Sequence, residues 1–343
     1  MDCGAQVNKK RIGLSDKDKR RITHMPVSIT KSAVSEEIIY KMVQKAFGCE
    51  PKEITELTEG FFNVAYRIDL GARIVILKVA PSPEVEVLTC EKNIMWTEVD
   101  SMCMAKAKTN VPIPEIYYYD DSKELINRPY FFMEALTGRN FFTIMNDMSE
   151  EEKAGIFRQA GEYTRELNQI TGERFGYYGQ PDRQGDNWYV VFRNLILDAF
   201  SDLKRKNIAV PVEQEKLLVL LEADKECFDK VTIPRYVHWD IWAGNIFVEN
   251  GRITGIIDFE RAMWADELME VGFRTYDYSA AFFEGYGKTD LNAEEKRRAQ
   301  WYDMYLFLLM RTECDYRGYE GTWHYDWSGE MIEKWAELLE NSH

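Results

Sequence analysis

The chain has 343 residues, 45% hydrophobic and 29% charged, which suits two packed lobes better than one small core. A net charge of −15 argues against a basic nucleic-acid surface and suits a cationic small partner. No apolar run nears the roughly 18 residues of a membrane span and no secretory core opens the chain; six scattered cysteines without C-x-x-C spacing exclude a zinc or disulfide framework and point to a reducing cytoplasm.

Residues 1–31 carry eight Lys/Arg against three Asp/Glu and read as a loosely attached extension, which leaves the remainder near −20. Ser35 is placed to cap a helix with Ile38, Ile39, Met42, Val43 and Ala46 on one face. Residues 53–81, EITELTEGFFNVAYRIDLGARIVILKVAP, alternate as antiparallel strands, punctuated by Gly60 and Gly71. Leu88, Glu91, Met95 and Met102 then fall at helical spacing, and PEIYYYD and RPYFFMEAL (128–136) read as further strands. The expected organisation is an extension over 1–31, a sheet-rich lobe over 32–136 and a mostly helical lobe over 137–343.

In the second lobe Ser149 and Glu152 form a capping box, followed by Ile156, Ala160, Tyr163, Leu167 and Ile170 on one helical face. Trp188, Phe192, Leu195, Ala199 and Leu203 mark a second helix, and residues 212–229 a third. After residue 262 the chain again reads helical to its end.

Between these helices lies VHWDIWAGNIFVENGRITGIIDFE, residues 237–260. Asn250-Gly251 is a tight hairpin signal between two apolar runs. A hairpin brings its ends together, so Asn245 and Asp258 become neighbours. One Asn and one Asp oxygen can hold Mg²⁺, which is usually bound by one or two carboxylates plus substrate phosphates. Asp240 lies near enough to take a proton from a hydroxyl beside that metal.

His238-x-Asp240-x-x-x-x-Asn245, followed thirteen residues later by Asp258 in IIDFE, resembles the catalytic and metal-binding loops of the protein-kinase-like superfamily. Within it the pattern is similar to the aminoglycoside phosphotransferase family, which includes choline, homoserine and fructosamine kinases. The resemblance covers residues 50–280 and implies an α+β, bilobal, protein-kinase-like fold. That fold has an N-terminal antiparallel sheet with one main helix and a C-terminal helical lobe. It further implies that Lys78, oriented by Glu91, contacts the ATP phosphates. Asn63 in EGFFNVAY lies in the nucleotide-covering loop, with Met133 behind the adenine and Glu134 and Leu136 bonding the base. His238 buttresses the loop. Trp239 stands where Gly or Arg is usual, Trp242 where many members carry His, and Glu270 where an Asp ties down the catalytic loop.

The expected activity is Mg²⁺- and ATP-dependent transfer of the γ-phosphate to a hydroxyl of a small cationic, aminoglycoside-like acceptor. GTP stays open as the donor. Glu260, Asp266, Glu267 and Asp277, with Glu313 and Asp315, are candidates to bind acceptor ammonium groups. A metabolic kinase of the choline, homoserine or fructosamine type shares every catalytic residue. A protein kinase would need an activation segment ending in Ala-Pro-Glu, and IIDFE here has no following Gly. A non-catalytic kinase-like protein would usually lack the lysine, base or metal aspartate, all present here. No feature speaks to oligomeric state.

Overall fold

The computed structural model describes residues 28, 30–58, 62–319 and 323–341. Most of the 1–31 extension, and Gly60, lie outside the described residues. Helix α1, Glu36–Phe47, buries Ile39, Met42 and Val43 and ends where Gly48 takes φ +67°. Ser35 stands at its N-cap, but its hydroxyl makes no capping bond; the Ser35 carbonyl instead receives the Ile38 and Ile39 amides.

Strands β1 (Glu53–Leu57), β2 (Val64–Asp69), β3 (Ile74–Val79), β4 (Ile116–Asp120) and β5 (Tyr130–Glu134) form an antiparallel sheet in the order β1-β2-β3-β5-β4. Val64, Tyr66, Ile68, Val75, Leu77 and Phe132 join α1 in one core, whereas Phe131 and Met133 join helix α2, Ile94–Lys108, in another. The periodicity beginning at Leu88 suggests one continuous helix. Asn93, at φ +59°, breaks it, so Thr89–Glu91 forms a separate 3-10 turn ahead of α2.

The crossing out of the sheet passes Gly138, whose φ of +86° suits glycine and whose hypothetical Cβ would lie 2.6 Å from the Val248 carbonyl. There follow β6 (Arg139–Asn140), α3 (Phe141–Ile144), α4 (Glu150–Leu167), β7 (Gly176–Tyr177) and α5 (Trp188–Arg205). Helix α4 starts with the expected reciprocal Ser149–Glu152 box. The helix expected over 212–229 is two, α6 (Gln214–Ala223) and α7 (Lys225–Asp229). They part at Asp224, whose Oδ2 accepts from Arg297 Nε and Trp301 Nε1 at 2.7 Å each.

Strand β8 (Arg235–Val237) precedes the hairpin of β9 (Ile246–Glu249) and β10 (Arg252–Ile256). Asn250 and Gly251, at φ +51° and +74°, close the expected turn. The residues after 262 are not helical at once. Strand β11 (Met263–Ala265) pairs with β7 and β8, and irregular turns lead to α8 (Ala280–Tyr286), α9 (Ala293–Tyr316) and α10 (Trp323–Glu340). The whole is the expected α+β, bilobal, protein-kinase-like arrangement. Among the described residues no helix is long and apolar enough to cross a membrane.

Helices α4 and α8 approach through glycines. A Cβ at Gly285 would lie 1.9 Å from the Arg158 carbonyl oxygen, and one at Gly161 would lie 2.2 Å from that of Phe282. Backbone atoms cannot yield as a flexible side chain can. Gly285→Val is therefore expected to destabilise the fold by about 1–3 kcal/mol or more, read as a lower urea midpoint.

Candidate active site

Strand β8 delivers His238, Trp239 and Asp240 into a loop clamped by one buried acid. Glu270 Oε1 accepts the His238 amide and Oε2 the Trp239 amide, both at 2.9 Å, and Asn168 Nδ2 adds a third donor at 3.1 Å. Burial pushes the Glu270 pKa up to about 7, against the pull of those donors. Glutamate in place of the expected aspartate thus still supports the loop, because both its oxygens are used. Glu270→Gln would turn an NH₂ toward one of those amides. We expect a stability loss of about 1–3 kcal/mol by denaturant unfolding.

His238 is fully buried, and burial lowers its pKa to about 4, so the ring is neutral. Its Nδ1 accepts the Asp240 amide at 3.2 Å, and its Nε2 therefore donates to the Ile257 carbonyl at 3.1 Å. The ring ties the Asp240 loop to Ile257, which lies between the end of β10 and Asp258. Trp239 and Asp258 both adopt left-handed backbone, at φ +69° and +62°. Such conformations persist in non-glycine residues only when their surroundings enforce them.

The hairpin brings the next residues together as anticipated. The Ile257 amide donates to the Asn245 carbonyl at 3.0 Å. Asn245 Nδ2 donates to the Asp240 carbonyl at 2.9 Å and to Asp240 Oδ2 at 3.0 Å. Both amide hydrogens point toward Asp240, which leaves Asn245 Oδ1 as the atom able to meet a cation. Burial raises the Asp240 pKa to about 7; Arg261 opposes the rise, while Asp258 and Glu260 add to it.

Lys78, on β3, ion-pairs with Asp258 and with Glu98 Oε1, the latter at 2.6 Å. Burial opposes its charge, but Asp258 and Glu98 hold its pKa above the usual lysine range. The lysine's helix partner is therefore Glu98 and not Glu91. The break at Asn93 turns Glu91 away, and its Oε1 pairs with Arg317 at 2.8 Å while its Oε2 accepts the Leu88 amide at 2.9 Å. A sequence signal for Glu98 exists. It lies between Met95 and Met102 on the buried face of α2, a place where an unpaired carboxylate would be costly.

Asn63 Nδ2 donates to Glu260 Oε2 at 2.7 Å, which joins the strand connection to the segment after Asp258. Met133 is buried opposite Ile76 on β3. The Glu134 amide donates to the Glu115 carbonyl at 2.8 Å, and the Leu136 side chain packs on Gly255 of the hairpin.

The candidate ammonium-binding acids are largely committed elsewhere. Asp266 is buried against Arg298 Nε at 2.7 Å and the Tyr302 hydroxyl at 2.7 Å. Glu267 pairs with Arg235 at 3.0 Å, and Glu313 pairs with Arg261 and, at 3.5 Å, with Arg317. These three face arginines, all but Arg317 distant in sequence, so their expected role is corrected to internal pairing. Asp277 is exposed, and Asp315 is half-buried on α9.

The arrangement places a half-buried carboxylate, two oxygen donors and an anchored lysine close together. A family model described as a phosphotransferase enzyme family matches residues 53–302. A hygromycin-B 4-O-kinase from Escherichia coli is 25% identical over 232 residues, 64% of this chain and 60% of that protein; the chain thus spans 60% of that relative's length. A candidate fructosamine-3-kinase from Haemophilus somnus 129PT superposes with a TM-score of 0.66 at 16% identity, over 87% of this chain and 96% of its own. A thermostable aminoglycoside phosphotransferase mutant, in ternary complex with ADP and hygromycin B, superposes with a TM-score of 0.63 at 18% identity, over 87% of this chain and 98% of its own. At these identities the solved structures share the fold.

Proposed function

Because the chain belongs to the phosphotransferase enzyme family, we propose that it transfers the γ-phosphate of ATP to a hydroxyl of a small molecule. The observation that carries this reading is the convergence of two bonded pairs, Asp240–Asn245 and Lys78–Asp258, linked where the Ile257 amide, next to Asp258, donates to the Asn245 carbonyl. Phosphoryl transfer asks mainly for positioning and charge neutralisation. Asp240 orients the acceptor hydroxyl and takes its proton. Lys78, held by Glu98, neutralises the triphosphate, and Asn63 lies in the loop over it. Met133, Glu134 and Leu136 line the base site.

Asn245 Oδ1 and the Asp258 carboxylate would hold Mg²⁺. They are hard oxygen donors, and the Asn245 amide is already oriented by Asp240. The bound ion supplies further neutralisation of phosphate charge. The acceptor is an aminoglycoside-like cation or a metabolic small molecule of the fructosamine type; Asp266, Glu267 and Glu313, each matched by an arginine, are not available to bind its ammonium groups. Five described cysteines without disulfides suit a reducing, ATP-supplied cytoplasm.

The test is ADP release from Mg-ATP across aminoglycosides, choline, homoserine and fructosamine-type sugars, alongside melting with Mg and a non-hydrolysable ATP analogue. The reading predicts a melting rise of several degrees with the nucleotide and turnover of at least one hydroxyl acceptor. The absence of both stabilisation and turnover would sink it.

A further inference from the structure

Among the described residues, the contacts that join the sheet-rich part of the chain to the helical part beside the cluster include Lys78–Asp258, Asn63–Glu260 and Glu91–Arg317. Lys78–Asp258 and Asn63–Glu260 involve groups already placed in the proposed reaction. The third, Glu91–Arg317, has no part in it. Yet both its side chains are buried, at 5% and 7% exposure, and their contact spans 226 residues of sequence.

Glu91 sits in the 3-10 turn before α2, its other oxygen held by the Leu88 amide. Arg317 follows the last residue of α9. Its guanidinium also reaches Glu313 at 3.5 Å and lies 5.5 Å from the centre of the Phe62 ring, next to Asn63. Glu313 holds Arg261, which lies 3.9 Å from Glu91. Arg261 in turn rests over the Trp239 ring, at 5.5 Å. Trp239 is the residue that must keep φ +69° for Asp240 to follow it, and it is braced from below by Tyr305, 5.5 Å away and near-parallel. Two acids and two arginines, Glu91 and Arg317 buried and Glu313 and Arg261 half-buried, therefore form one charge-balanced chain from the nucleotide-side turn to the residue before Asp240.

We propose that Glu91 and Arg317 form an interlobe latch that positions Asp240, acting through Glu313, Arg261 and Trp239. This inference rests on the kinase reading above. Arg317 and Glu91 are positioning residues: neither touches a reacting atom. The latch makes the docking of the two parts and the placement of the base one event, so that Asp240 is correctly set only when the turn ahead of α2 is in place.

Removing one partner leaves a buried charge uncompensated and threatens the fold. Removing both leaves the Arg261–Glu313 pair balanced, so the double variant Glu91→Met/Arg317→Met is the decisive one. The probe is Mg-ATP hydrolysis with water as acceptor, since it needs no identified substrate, together with AMP-PNP affinity by calorimetry. Far-UV dichroism and thermal melting follow folding.

The expected result is a folded double variant whose kcat falls roughly tenfold or more, while its KM for ATP and its AMP-PNP affinity stay within about threefold. Arg317→Lys, which keeps the charge but not the planar two-pronged contact, should fall between parent and double variant. A merely structural pair would lower the melting temperature without this split of kcat from KM. A folded double variant hydrolysing ATP within about threefold of the parent would overturn the latch and leave the kinase reading intact. A parent chain that neither hydrolyses Mg-ATP nor binds AMP-PNP would overturn the kinase reading, and the latch with it.

Discussion

Asp240→Ala is expected to lower turnover of any accepted substrate by roughly 10²- to 10⁴-fold, the range of a lost general base. AMP-PNP affinity should change little, because in the proposed reaction Asp240 serves the acceptor, whereas Lys78 pairs with Glu98 and Asp258. Asp240→Asn is the sharper control. It keeps the shape beside Asn245 Nδ2 but cannot take a proton, and its loss should match that of alanine. If either variant kept turnover within about tenfold, the base would have to be sought elsewhere. The same assignment fixes a pH dependence. Burial, with Asp258 and Glu260, lifts the Asp240 pKa from the ordinary aspartate range to about 7 in the free protein, against Arg261. The reactive form is the carboxylate. Activity in kcat/KM should therefore be present above neutrality and be lost as the pH falls through 7, and a profile flat from pH 5 to 8 would contradict this.

The second large effect separates the two glutamates that sequence alone could not rank. Glu98→Gln removes the anion that anchors Lys78 at 2.6 Å in a site where the carboxylate is wholly buried. The lysine is then held by Asp258 alone, where it competes with any cation drawn to that carboxylate. A loss of roughly tenfold or more in kcat/KM for ATP is expected, along with reduced thermal stabilisation by AMP-PNP, since truncating one partner of a buried pair is costly. Glu91→Gln should leave AMP-PNP affinity within about threefold, because Glu91 faces Arg317 and not Lys78. Equal losses of nucleotide affinity in both variants would restore Glu91 as the lysine's partner. Lys78→Met should show the Glu98 defect and more, because it also leaves that buried carboxylate without its cation.

Much of the site could be read from the chain because it is local. The distance from His238 to Asp240 and Asn245 is set by a handful of residues, and Asn250-Gly251 has few ways to turn. The hairpin consequently brings Asn245 to the strand end that bears Asp258 whatever else the fold does. The alternating strands around Lys78 and the Ser149–Glu152 cap were legible for the same reason: each depends on neighbours within one or two turns.

What failed was non-local or rested on a single backbone angle. Asn93 at φ +59° splits an apparently continuous helix and exchanges Glu91 for Glu98. Neither composition nor periodicity records that reversal. Three of the acids expected to greet a cationic acceptor, Asp266, Glu267 and Glu313, are matched by Arg298, Arg235, Arg261 and Arg317, most of them far away in sequence. The sequence by itself determined the local part of the proposed site: Asp240, Asn245 and Asp258, at spacings short enough for a turn and a hairpin to enforce, with Lys78 on an alternating strand. Only the tertiary structure decided which glutamate serves the lysine and which charges are already spent. Burial makes ion pairing obligatory, and the partners it supplies come from whichever helices happen to pack there.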